Sequence, residues 1–116
     1  MARNEINLMF RAFSDRTRLR ILHMLRGGEL CVGDIVSVLR VPQPTASRHL
    51  AYLRRSGLVK SRNHGLWRFY KLAPAKTAFQ RNLLRCLRSC FRDVPEIARD
   101  AERMGGLRKS GGCCPR

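Results

Sequence analysis

The sequence lacks any long apolar run: no stretch of its 116 residues approaches the roughly 20 consecutive apolar residues that a membrane-spanning helix needs. No apolar segment follows Met1-Ala2-Arg3-Asn4-Glu5, so no secretion signal is expected. A lipidation motif and a basic helix with a broad greasy face, the marks of membrane-surface binders, are missing too. The expected location is the cytoplasm, with no membrane partner.

Acidic residues are scarce. Eight Asp and Glu stand against 24 Lys and Arg, a formal net charge of +16, so the expected partners are polyanions, nucleic acid first. Catalytic groupings are absent as well. There is no paired-carboxylate or Ser-His-Asp arrangement in a glycine-shaped site, and the only histidines are His23, His49 and His64, so no enzyme is expected. The five cysteines, at 31, 86, 90, 113 and 114, are odd in number. Without a secretion signal they read as reduced thiols rather than a disulfide framework. The length fits one domain with a modest core, which a partner subunit would supplement.

Apolar spacing gives the architecture. Ile6, Met9, Phe10 and Phe13 recur at helical intervals and predict a helix over 4–13. Ser14 followed by Asp15 is a start signal for a second helix, carried by Leu19, Leu22 and Leu25 to about Arg26 and ended by Gly27-Gly28. A short third helix is expected over 30–39. After the turn Val41-Pro42-Gln43-Pro44 a fourth runs from Gln43 to about Arg55, with Ala46, Leu50 and Leu53 as its buried stripe and Gly57 closing it.

The period then changes to two. Val59 to Arg62 and Leu66 to Leu72, around a turn at Asn63-His64-Gly65, predict a β-hairpin. Pro74 suits the first turn of a long fifth helix with the stripe Phe79, Leu83, Leu87, Phe91 and Val94, which Pro95 interrupts. A short sixth helix ends near Met104. The expected organisation is one domain over 1–104 and a flexible tail over 105–116. The fold class is mainly α with a small β-wing: a winged helix-turn-helix of four helices, a two-stranded hairpin, a fifth helix and a short sixth.

Such a fold offers its fourth helix to the major groove, where Gln43, Thr45, Ser47, Arg48 and His49 are expected to reach base edges or phosphates. Lys60, Arg62 and Arg68 on the hairpin are expected to follow the flanking backbone or the minor groove. At these residues a family resemblance becomes specific. The segments Asp15-Arg16-Thr17-Arg18-Leu19-Arg20-Ile21-Leu22, Glu29-Leu30-Cys31-Val32, Gln43-Pro44-Thr45-Ala46-Ser47-Arg48-His49-Leu50 and Leu53-Arg54-Arg55-Ser56-Gly57-Leu58-Val59 together resemble the ArsR family of metalloregulatory repressors, over about residues 6 to 73. The resemblance implies a homodimer that binds operator double-stranded DNA and releases it when a thiophilic ion binds.

The sensor departs from the family's pattern. Many arsenic-responsive relatives carry Cys-x-Cys followed two residues later by a third Cys before the recognition helix. Here Cys31 is followed by Gly33 and Val36 at the other two positions, so that three-thiolate cage cannot form. Cys31 alone reads as core. Cys86 and Cys90, spaced i, i+4, share a helix face that suits packing or ligation equally. Zinc-sensing relatives use Asp and His on this helix; none occurs between Pro74 and Phe91, so no zinc is expected.

Cys113-Cys114, in a Gly-rich segment with no core to fill, present a chelating pair to a soft ion. The resemblance implies three thiolates for trivalent arsenic and two for a singly methylated arsenic. The expected site is therefore Cys113 and Cys114, with Cys86 or Cys90 as a third arm. The expected function is metalloid-released repression by arsenic or antimony. The alternatives are a constitutive nucleic-acid-binding module and a thiol redox-switch repressor.

Overall fold

The computed structural model describes residues 3–111, with side chains from Glu5 onward. Helix α1 (Arg3–Phe13) is closed by Ser14, whose Oγ donates to the Arg11 carbonyl at 2.7 Å. The cap of α2 (Arg16–Leu25) is Asp15, not Ser14. Asp15 stands in extended backbone and its Oδ2 accepts the Arg18 N–H at 2.9 Å, satisfying one of the otherwise orphaned donors of the first turn.

Strand β1 (Leu30–Cys31), helices α3 (Val32–Leu39) and α4 (Gln43–Arg55), strands β2 (Val59–His64) and β3 (Trp67–Leu72), and helices α5 (Ala78–Ser89) and α6 (Pro95–Lys109) follow. β1 corrects the expectation of helix from Leu30. It pairs antiparallel with β3, Leu30 opposite Tyr70 and Cys31 opposite Phe69, so the sheet has three strands in the order β1-β3-β2. Two residues are too short to show a period, yet both are buried and tie the wing to the helices.

Helix α2 lies at the centre. Ile21, Leu22 and Leu25 pack with Ile35 and Val38 of α3 and with Leu50 and Leu53 of α4 in one continuous core. That packing fixes the helix-turn-helix angle. The turn itself is set by Arg40, left-handed at φ 58°, whose N–H returns to the Val36 carbonyl at 2.8 Å and closes α3.

The C-terminal third differs most from expectation. α5 starts only at Ala78, where Thr77 Oγ1 accepts the Gln80 N–H at 3.1 Å, so Pro74 lies outside it; it stops at Ser89, short of Phe91 and Val94. α6 does not end near Met104 but continues through Gly105-Gly106 to Lys109, past the expected start of the tail at 105. Two helical glycines cost about 1 kcal/mol each, and tertiary contacts offset that. Ile97 and Met104 are buried and Leu107 packs on the core. Arg103 donates to the Val38 carbonyl at 2.9 Å and Arg108 to the Gly27 carbonyl at 2.8 Å, serving the ends of α3 and α2. The tail residues 112–116 lie outside the described residues.

Candidate nucleic-acid interface and thiol groups

With Ala46, Leu50 and Leu53 buried, α4 turns the opposite face outward. Gln43 and Arg48 are exposed on it, and Thr45 and Ser47 are half-buried. A groove of about 460 Å³ runs between this helix and the wing, bordered by Gln43, Ser47, Arg54, Trp67 and Arg68. Ser61 joins its two walls. Its Oγ lies 3.4 Å from Arg54 Nη1 of α4 and accepts from Arg68 Nη2 of β3 at 3.1 Å.

The expected contact residues divide on geometry. Lys60 is exposed at the root of the wing, and Arg68 is exposed with its guanidinium over the Tyr70 ring at 5.8 Å. Arg62 is committed elsewhere: Nε and Nη2 donate to the two Glu29 carboxylate oxygens at 2.8 and 2.7 Å, and the guanidinium stacks on Phe69 at 4.8 Å. His49 points toward the α1–α2 corner, with Nδ1 3.5 Å from Arg18 Nη1 and 3.9 Å from Asp15 Oδ2. Burial, more than the neighbouring cations, lowers its pKa below the ordinary histidine value. Arg18 also stacks on Tyr52 at 4.3 Å and donates to the Arg11 carbonyl at 2.7 Å, so this group ties α4 to the end of α1.

Sequence reasoning missed two features of this face. One is the Arg54–Ser61 contact between helix and wing. The other is the apolar wing tip: Gly65 at φ +61° turns the hairpin, leaving Leu66 fully exposed and Trp67 partly so. The alternation in 66–72 signalled a strand, and the apolar residue at the turn was its only trace.

Among the described cysteines, Cys86 and Cys90 are free thiols, half-buried and exposed respectively. Their mutual hydrogen bond, helped by burial, pushes the Cys86 thiol up to about 11, so at neutral pH it holds its proton. Cys31 is buried against Phe69, and its Sγ accepts the Asp34 N–H at 3.4 Å, capping α3. It is disulfide-bonded. No group of three or more His, Cys, Asp or Glu side chains among the described residues is arranged to hold a metal ion. No helix among them is long and apolar enough to cross a membrane.

The profile of the bacterial regulatory protein arsR family matches residues 15–61, from the α2 cap to the middle of β2. The chain is 49% identical over 63 residues to an uncharacterized HTH-type transcriptional regulator of Methanocaldococcus jannaschii, covering 53% of this chain and 71% of that protein. It is 48% identical over 67 residues to the arsenical resistance operon repressor of Escherichia coli, covering 57% of each. Among solved structures, HlyU from Vibrio cholerae superposes with a TM-score of 0.67 at 33% identity, covering 78% of this chain and 98% of that one. The chain belongs to the arsR family, and with its three-helix core, recognition helix and hairpin wing it is a winged helix-turn-helix DNA-binding transcriptional regulator, not an enzyme.

Proposed function

We propose that this regulator is a homodimeric cytoplasmic repressor that leaves its operator when a thiophilic metalloid, trivalent arsenic or antimony or a methylated arsenite, binds its cysteines. The observation that carries the DNA half is the continuous face made by α4 and the wing and joined at Ser61. Gln43, Thr45, Ser47 and Arg48 meet the major groove; Lys60 and Arg68 meet flanking phosphates. Arg62 and His49 serve the scaffold, through Glu29 and the α1–α2 corner.

The inducer half is supported by the chemistry of the donors and by the arsenical resistance repressor among the relatives. Thiolates are soft ligands, and Cys113-Cys114 form a vicinal pair suited to a metalloid. A hundredfold loss of DNA affinity requires about 2.7 kcal/mol of preference for the DNA-free arrangement. The test uses DNA selected from a random library by the purified protein. Arsenite or antimonite is expected to abolish the anisotropy of the complex and excess dithiol to restore it, whereas a constitutive binder is indifferent to both.

The disulfide at Cys31 favours a second reading, in which thiol oxidation acts on the operator complex. Release by peroxide with no metalloid present is its signature.

A further inference from the structure

The sheet is three-stranded only at its root. β1 lies opposite Phe69 and Tyr70, and past it the pairs Asn63–Arg68 and His64–Trp67 continue alone for about 7 Å more. The two-residue turn Gly65-Leu66 closes the hairpin. Gly65 takes a left-handed φ of +61° and Leu66 does not, as in a type II′ turn. The second place of such a turn suits Ser, Asn or Asp, so the turn does not call for leucine. Nor does the core, since Leu66 is fully exposed at the outermost point of the wing. Its surroundings are basic: Val59 to Leu72 holds Lys60, Arg62, Arg68 and Lys71, and no Asp or Glu. A tip that met only phosphates would be served by another cation.

Leu66 and Trp67 line the same groove as Gln43 and Ser47 of α4. Arg54 and Arg68 converge on Ser61 between them, so two guanidinium groups are set for one sugar-phosphate ridge. In B-DNA such a ridge separates a major groove from the minor groove beside it. With Gln43 and Ser47 on the major-groove side, the wing tip beyond the ridge faces the minor groove, which is about 6 Å wide. We propose that Leu66 is an apolar wedge that enters this minor groove and partly unstacks one base step of the operator. Leucine is among the side chains suited to this: it leaves no buried polar group unpaired, and the kink it makes brings more of the duplex onto the protein. Pyrimidine–purine steps unstack at the least cost. Leu66 is therefore a specificity-determining residue, selecting TA or CA steps through their deformability with no hydrogen bond to a base. The proposal rests on the reading of α4 and the wing as the operator face and adds to it what the tip does.

The test uses the full-length protein and DNA that it selects from a random library. Adenines along the selected duplex are replaced one at a time by 2-aminopurine, whose fluorescence rises when it loses its stacking neighbour. Wild-type protein is expected to brighten the probe at one pyrimidine–purine step beside the α4 site. Leu66→Ser, which suits the turn and touches no core, is expected to abolish the brightening and to weaken operator binding about tenfold. Its affinity for unrelated DNA and its slope of log K against log salt are expected to stay unchanged, because no charge is lost. Leu66→Met is expected to keep both the brightening and the affinity. No brightened step with the wild type, or equal brightening with Leu66→Ser, overturns the wedge. So does a loss of affinity that is the same on every sequence. A change in the sedimentation of the DNA-free protein with Leu66→Ser places the tip between copies of the chain and overturns it too. Gln43→Ala and Arg48→Ala separate the two readings: if both bind the selected operator as the wild type does, the operator face itself is wrong and the wedge falls with it. If they lose affinity while no step brightens, the wedge alone fails.

Discussion

Arg20 and Asp100 face each other across the α2–α6 contact in a two-pronged ion pair, Nε to Oδ2 at 2.8 Å and Nη2 to Oδ1 at 2.9 Å. The aspartate side chain is 2% exposed and the arginine 15%. The hydrogen bond to Asp100 raises the pKa of Arg20, against the opposing effect of burial. Removing one partner leaves the other charge buried and uncompensated. Asp100→Ala is expected to lower the unfolding free energy by about 3 kcal/mol, near the low end for buried pairs because Arg20 keeps some solvent. Urea denaturation checks it. Arg20→Leu/Asp100→Leu, which removes both charges, is expected to recover most of the loss.

Recognition and positioning are expected to separate in a salt titration. Gln43→Ala and Arg48→Ala should cost about 1–3 kcal/mol at particular operator positions and little on unrelated DNA. Lys60→Ala and Arg68→Ala should weaken binding to every sequence and reduce the slope of log K against log salt by about one each. Arg62→Ala should leave the slope unchanged, since Glu29 already holds that guanidinium. A full unit of slope lost with Arg62 would return it to the DNA-contacting set.

Assembly is testable at the α1–α5 face. Phe10 is 54% exposed although its ring stacks edge-on against Phe79 of α5 at 5.1 Å. An aromatic pair left half in water on two adjoining helices is a surface for a second copy of the chain. Phe10→Glu is expected to raise the dimer dissociation constant at least tenfold in sedimentation equilibrium while leaving the helical far-UV signal intact.

Acid is expected to destabilise the fold through two histidines. His23 and His49 both have pKa values lowered chiefly by burial, so the folded state favours their neutral forms. The unfolded chain titrates near 6.5; stability is therefore complete above that value and is lost as pH falls below it. Urea midpoints at pH 7.5 and 5.0 measure the drop, and His49→Gln should reduce it.

The recognition helix was legible because its stripe of Ala46, Leu50 and Leu53 and its breaks at Pro42 and Gly57 are local signals. The wing was legible from alternation between Val59 and Leu72. Neither β1 nor the extent of α6 was. Leu30–Cys31 is strand only because Tyr70 and Phe69 lie beside it, a partnership set 40 residues away. Gly105-Gly106 reads as a helix stop, and the arginines that carry the helix past it, Arg103 and Arg108, find their acceptors at Val38 and Gly27. His49 and Arg62 read as DNA contacts by residue type alone, and the partners that the fold gives them, Asp15, Arg18 and Glu29, come from other elements and leave no local signal.

Those two glycines give α6 uneven stiffness along its length. A Cβ at either would meet nothing within 4 Å, so no close packing calls for glycine there. Each lowers the local helix stability by about 1 kcal/mol relative to alanine. The turns around Asp100 are pinned by Arg20, whereas beyond Met104 the rod is compliant and its last turn unwinds at the smallest cost. Strain applied at the C-terminal end is thus absorbed first in one soft turn, and reaches the core only as far as the Arg108 grip on Gly27 holds.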